Sequence, residues 1–123
     1  MSEKRQLVGK IGETLAVSYL AEQGYQILET NYRSALGEID IVARDGHTTV
    51  LVEVRTRTSL SFGSPEESIT AEKAKRLKRM AQSYLQAHRN SDAVCRLDLI
   101  AVMLDRETHR LQSIKQIKGI LAG

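Results

Sequence analysis

Gly37-Glu38-Ile39-Asp40-Ile41-Val42 and, beyond a short turn, Leu51-Val52-Glu53-Val54-Arg55 read as two neighbouring strands, each with an acid set into apolar sequence. A carboxylate in an apolar strand is costly unless something pairs with it. Asp45-Gly46 lies between the two runs and is a strong hairpin signal. With those two residues at the centre of the turn, Asp40 faces Leu51 and Glu53 lies two residues farther along the partner strand. Side chains two apart share a face. Asp40, Glu53 and Arg55 are therefore expected on one side, with the acids at a diagonal distance of about 7–8 Å.

Outward from this hairpin, residues from about Lys4 to Gln23 read as a helix. Its apolar stripe is Leu7, Val8, Ile11, Leu15, Tyr19 and Leu20, with Gly12 inside the stripe, Glu13 at its edge and Gly24 at its end. The glycine weakens the helix by about 1 kcal/mol relative to alanine, and close packing against another backbone is the expected compensation. Tyr25–Tyr32 reads as a strand, followed by a Ser34–Gly37 turn. Thr48–Arg57 reads as the third strand, and a loop with Gly63 and Pro65 follows. A helix capped by Thr70 runs to about His88. Arg96–Leu104 is apolar on both faces from Leu99 onward and reads as an internal strand, with a last strand near Leu111–Ile117. The order α-β-β-β-α-β-β implies an α/β fold, a mixed sheet of about five strands flanked by helices, in one domain over residues 1–123.

The 123 residues are 41% hydrophobic and 27% charged, within the range of an ordinary globular chain. A net charge of +3 permits nucleic-acid contact without demanding it. Cys95 is the only cysteine, which excludes an intramolecular disulfide and fits a reducing compartment. The start of the chain lacks an apolar signal region, and no apolar run approaches the roughly 20 residues that span a bilayer. A cytoplasmic protein with no membrane partner is expected. Five aromatics and no tryptophan disfavour a base-stacking platform for single strands.

Two carboxylates on one strand face suit a hard cation: Mg²⁺ takes one or two protein carboxylates and keeps several waters. Such an ion activates water and stabilises charge on a phosphoryl group, and a neighbouring side-chain cation adds to that stabilisation. The arrangement points to phosphodiester hydrolysis. The alternative from the same residues is a structural network in which Asp40 and Glu53 pair with Arg33, Arg55 or Arg57. Lys75, Arg76 and Arg79 form a basic helix face suited to phosphates or simply to solvent. Arg33 and Arg57 lie nearer the ends of strands flanking the acids. The histidines His47, His88 and His109 lack the spacing of a zinc site.

The stretches Gly12-Glu13, Gly24-Tyr25, Asn31-Tyr32-Arg33, Gly37-Glu38-Ile39-Asp40, Val52-Glu53-Val54-Arg55, Arg57, Phe62-Gly63-Ser64-Pro65 and Lys73 together resemble the YraN-like family of uncharacterised bacterial proteins. That family is placed in the restriction-endonuclease-like superfamily, beside archaeal Holliday-junction resolvases. The resemblance covers most of the chain. It implies that Asp40 and Glu53 hold Mg²⁺ or Mn²⁺, with the Val54 carbonyl and Glu13 contributing, and that the partner is DNA, branched or damaged. Arg55 departs from the pattern, because such centres usually have lysine there. Arginine stabilises charge and grips phosphate but cannot act as a general base. Lys73 is the candidate for the missing ammonium. The resemblance also implies a homodimer, though no helical seam marks an interface. Three readings follow: a Mg²⁺-dependent endonuclease, a nucleic-acid-binding module of the same fold without catalysis, and a structural or assembly protein.

Overall fold

The computed structural model describes residues 2–59, 69–88 and 94–120, and the Phe62–Pro65 loop lies outside them. Helix α1 spans Ser2–Glu22. It ends in a Schellman arrangement: Gly24 takes φ +92, the Tyr25 N–H donates to the Leu20 carbonyl at 3.0 Å and the Gly24 N–H to Ala21 at 3.1 Å. Ala16 and Leu20 are fully buried, and Val8, Ile11, Leu15, Val17 and Tyr19 pack around them. Leu7, expected in the stripe, is 51% exposed.

Strands β1 (Gln26–Ser34), β2 (Gly37–Asp45) and β3 (Thr48–Arg57) form an antiparallel meander. The β2–β3 turn is centred one residue later than the sequence suggests. Asp45 pairs with Thr48, leaving Gly46 and His47 as the two central residues. Gly46 takes φ +61 and His47 stays at negative φ, the type II′ pattern with glycine first. The expected Asp40–Leu51 register is thereby corrected: Val42 faces Leu51, and Ile41 faces Val52 as the last pair of the ladder, one residue short of Asp40 and Glu53. The slip is an even number of residues, so each side chain within the paired stretch keeps its face.

Helix α2 (Ala71–Ala87) opens on Thr70, whose side chain accepts the Lys73 N–H at 3.1 Å. Strand β4 (Val94–Leu104) pairs in parallel with β3, and β5 (Leu111–Ile117) pairs antiparallel with β4, giving the order β1-β2-β3-β4-β5. The fold is α/β, a five-stranded mixed sheet with a helix on each face. Alternation along β3 divides the interior. Val50, Val52 and Val54 face α1 with Ile41, Ile100 and Val102, while Leu51 faces α2 with Ile39, Val42, Leu77, Met80 and Tyr84.

Asp98 is wholly buried in β4 and fully paired. It accepts from Arg96 at 2.9 and 3.0 Å, from Gln116 of β5 at 2.8 Å and from the Gly119 N–H at 3.0 Å. This charge serves the sheet, tying the edge strand and the segment after it to β4. Among the described residues no helix is long and apolar enough to cross a membrane.

Candidate functional site

α1 crosses the end of β3 at Gly12. A Cβ there would fall 1.8 Å from Thr56 Oγ1 and 2.8 Å from Thr56 Cβ, so only glycine allows the helix this close. The close approach is to a side chain rather than a backbone. It brings the next residue, Glu13, into the electrostatic reach of Glu38 and Glu53.

The β2–β3 pairing stops at Ile41 and Val52, and there the strands fork. Ile39 enters the α2 core and Ile41 the α1 core, although residues two apart on a regular strand would share a face. Asp40 sits at this break, with Asn31 at the corresponding place on β1 in left-handed conformation at φ +53. Asp40 Oδ2 accepts the Val54 N–H at 2.7 Å, so a side chain completes the hydrogen bonding of β3 where the ladder has ended. Its carboxyl also lies within the electrostatic reach of Glu53.

Glu53 is 5% exposed on the α2 side of the sheet. Its Oε2 pairs with Arg55 Nη2 at 3.0 Å and with Lys73 Nζ at 3.5 Å. Lys73 continues the buried stripe of α2 through Leu77, Met80 and Tyr84, so helix geometry aims it at the sheet. On the other side of the fork, the Asn31 amide, turned with its nitrogen toward the acids, donates to Glu13 Oε1 at 2.9 Å and Glu38 Oε1 at 3.1 Å. Arg33 closes this chain on Glu38 at 3.2 Å.

The electrostatics are unequal. Among the described residues, Arg55 and Lys73 both pair with Glu53. Burial, and then the charge of Glu53, push Asp40 up to about 8, against the opposing Val54 N–H. Burial, and then Glu38 and Glu53, raise Glu13 from its ordinary value as well. The fork gathers negative charge in a partly dry place, a condition that an added cation relieves.

Among the described residues no three His, Cys, Asp or Glu side chains form a group that could hold a metal ion. A cage of protein ligands is therefore not what the fork offers. Two carboxylates with water completing the shell is the ordinary manner of Mg²⁺, and Asp40 and Glu53 fit that donor set. Glu13 stands at the edge of the site, held by Asn31. The Val54 carbonyl accepts from Arg55 Nη1 at 3.4 Å.

Of the residues singled out from sequence, the structure brings Asp40, Glu53, Val54, Arg55 and Lys73 together, with Glu13 beside them. Arg57 lines an open cleft of about 810 Å³ that runs from Glu13 and Arg55 along α1 past Gly9 to Arg5 and Lys4. Arg33 is taken up by Glu38. Lys75, Arg76 and Arg79 are exposed on α2, with Arg76 lying over Gly37. Sequence reasoning missed Asn31, which joins two acids. Its signal is its type, because asparagine tolerates left-handed backbone.

The family described as "Uncharacterised protein family UPF0102" matches residues 12–102. The chain belongs to the UPF0102 family. This is the YraN-like group expected from the motifs, and the match takes in Glu13, Asp40, Glu53, Arg55 and Lys73. A UPF0102 protein of Moorella thermoacetica is 48% identical over 119 residues, 97% of this chain and 98% of that protein. A UPF0102 protein of Desulfitobacterium hafniense is 46% identical over 121 residues, 98% of this chain and 100% of its own length. One from Dehalococcoides mccartyi is 44% identical over 119 residues, 97% of this chain and 98% of its own.

Proposed function

We propose that this UPF0102 chain is a metal-dependent nuclease-like protein of the restriction-endonuclease-like type, acting in the cytoplasm on DNA, branched or damaged. The observation that carries the reading is the Asp40–Glu53 pair at the fork, two acids close enough for the charge of one to raise the other, with Arg55 and Lys73 both paired to Glu53. Asp40 and Glu53 would hold Mg²⁺ or Mn²⁺. When bound, the ion supplies charge neutralisation at a phosphoryl oxygen and a more acidic water. Lys73 and Arg55 place an ammonium and a guanidinium beside the same carboxylate, where they stabilise negative charge developing on a phosphate. Arg55 keeps its proton throughout. The Val54 N–H fixes the direction of the Asp40 carboxyl.

The test measures Mg²⁺ and Mn²⁺ binding to wild type and Asp40→Ala by calorimetry, then cleavage of plasmid, single-stranded and four-way-junction DNA. Binding and cleavage that both disappear in Asp40→Ala support the reading. A wild type that binds neither ion sinks it.

A second reading, a nucleic-acid-binding module without turnover, is favoured by Arg55 standing where nuclease centres carry lysine. It predicts salt-dependent DNA binding that a chelator leaves unchanged, with no product under either ion.

A further inference from the structure

The cleft runs past Glu13 and is lined by four cations, Lys4, Arg5, Arg55 and Arg57, among apolar and hydroxyl side chains and the bare backbone of Gly9. Arg5, Gly9 and Glu13 recur every four residues and so form one stripe of α1, with Lys4 alongside and Arg57 across on β3. Lys4 and Arg5 are exposed, and among the described residues neither they nor Arg57 form an ion pair. Among the described residues, the charge of these three cations is thus not taken up by ion pairs.

Gly9 is the second, independent observation. A glycine inside a helix weakens it, and Gly12 has a reason for being one, its packing against Thr56. Gly9 has no such reason. A Cβ at Gly9 would meet nothing within 4 Å. Its missing side chain leaves the wall of the cleft bare between the cations and the acids, and a bare backbone is where a ligand can come close. The exposed cations of α2, by contrast, line no part of this cleft.

We propose that one sugar-phosphate backbone of a DNA substrate lies in this cleft, gripped by Lys4, Arg5 and Arg57 and seated over Gly9, on its way to the Asp40–Glu53 fork. The inference rests on the nuclease-like reading for its ligand and adds the surface that holds it. It moves the main grip on DNA from the α2 face to the N-terminal half of α1.

The experiment is fluorescence anisotropy with a fluorescein-labelled DNA duplex and a four-way junction, in chelator so that no turnover occurs, across a series of salt concentrations. Wild type is expected to bind with salt-dependent affinity. Lys4→Glu with Arg5→Glu weakens binding by about tenfold or more and lowers the salt slope by roughly two, one for each phosphate the variant no longer neutralises. Gly9→Gln changes no charge and improves the helix, so it raises Tm while weakening binding by about tenfold. Lys75→Glu with Arg79→Glu changes affinity less than about threefold. Wild-type affinity in the Lys4/Arg5 variant, or in Gly9→Gln, overturns the inference and leaves the nuclease reading standing. So does an equal weakening in the α2 variant. A wild type that binds neither DNA at low salt overturns both.

Discussion

Asp40 keeps its proton up to about pH 8 in the folded chain, whereas the unfolded carboxyl titrates near its ordinary 3.8. Between those values the folded state holds more protons. Its stability therefore falls as pH rises, by at most about 1.4 kcal/mol per unit. The contribution is fully present below the lower value and gone above the upper one. Metal-free wild type should melt at a lower temperature at pH 8 than at pH 5. Asp40→Asn cannot ionise and keeps an acceptor for the Val54 N–H, so it should flatten that slope. Thermal melts at several pH values check this, and an unaltered slope would place the dependence in other groups.

The two cations on Glu53 divide differently. Arg55→Lys keeps a positive charge beside Glu53 while Lys73 already supplies an ammonium, so cleavage should change by less than about threefold, against about 100-fold for removing a charge-stabilising donor. Lys73→Met should cost about 100-fold in kcat and lower stability as well, because it takes one of two cations from a carboxylate that is 5% exposed. Steady-state kinetics beside denaturant titration separates the two effects.

The α1–β3 crossing decides where Glu13 and the cleft lie relative to the fork. Gly12→Ala drives a Cβ into Thr56 Oγ1 and should destabilise by about 1–3 kcal/mol, the usual range for overpacking. Thr56→Gly in that background removes the obstructing atoms and should recover part of the stability. A double-mutant cycle in urea reads the coupling, and additive effects would count against this packing.

At this scale the sequence was most legible. Strands β3 and β5 have the bounds that alternation and turn residues indicate, and Thr70 caps α2 as its type suggests. The carboxylate pair was legible through parity, since the turn moved but Asp40 and Glu53 kept their place on the same stretch of the hairpin. The break in β2 was not legible. Nothing in Ile39-Asp40-Ile41 says that its two isoleucines enter opposite cores, because the cause is the fork between β2 and β3. The cleft escaped for a related reason. Lys4, Arg5 and Gly9 acquire meaning only when α1 is laid across β3.

Over the whole molecule, two acids do opposite work. Asp98 is compensated on every side, by Arg96, Gln116 and the Gly119 N–H, whereas Asp40 shares its surroundings with another acid. Asp98→Ala removes the buried partner of Arg96, Gln116 and the Gly119 N–H, leaving Arg96 the longer pair with Asp45 and the Tyr25 hydroxyl, and should cost about 3–5 kcal/mol, the penalty expected on breaking a buried ion pair. Asp40→Ala removes one accepted backbone hydrogen bond from a carboxyl that keeps its proton at neutral pH, and should cost less. Urea midpoints for the two variants test that order, and a larger effect at Asp40 would make its role structural.

The continuity of α1 has one more consequence. From Arg5 to Glu13 the helix is unbroken, and eight residues at about 1.5 Å each fix their separation at roughly 12 Å. A strand of duplex DNA carries one phosphate per about 3.4 Å of its axis. On the proposed reading α1 is therefore a ruler, and it sets the distance between the grip and Glu13.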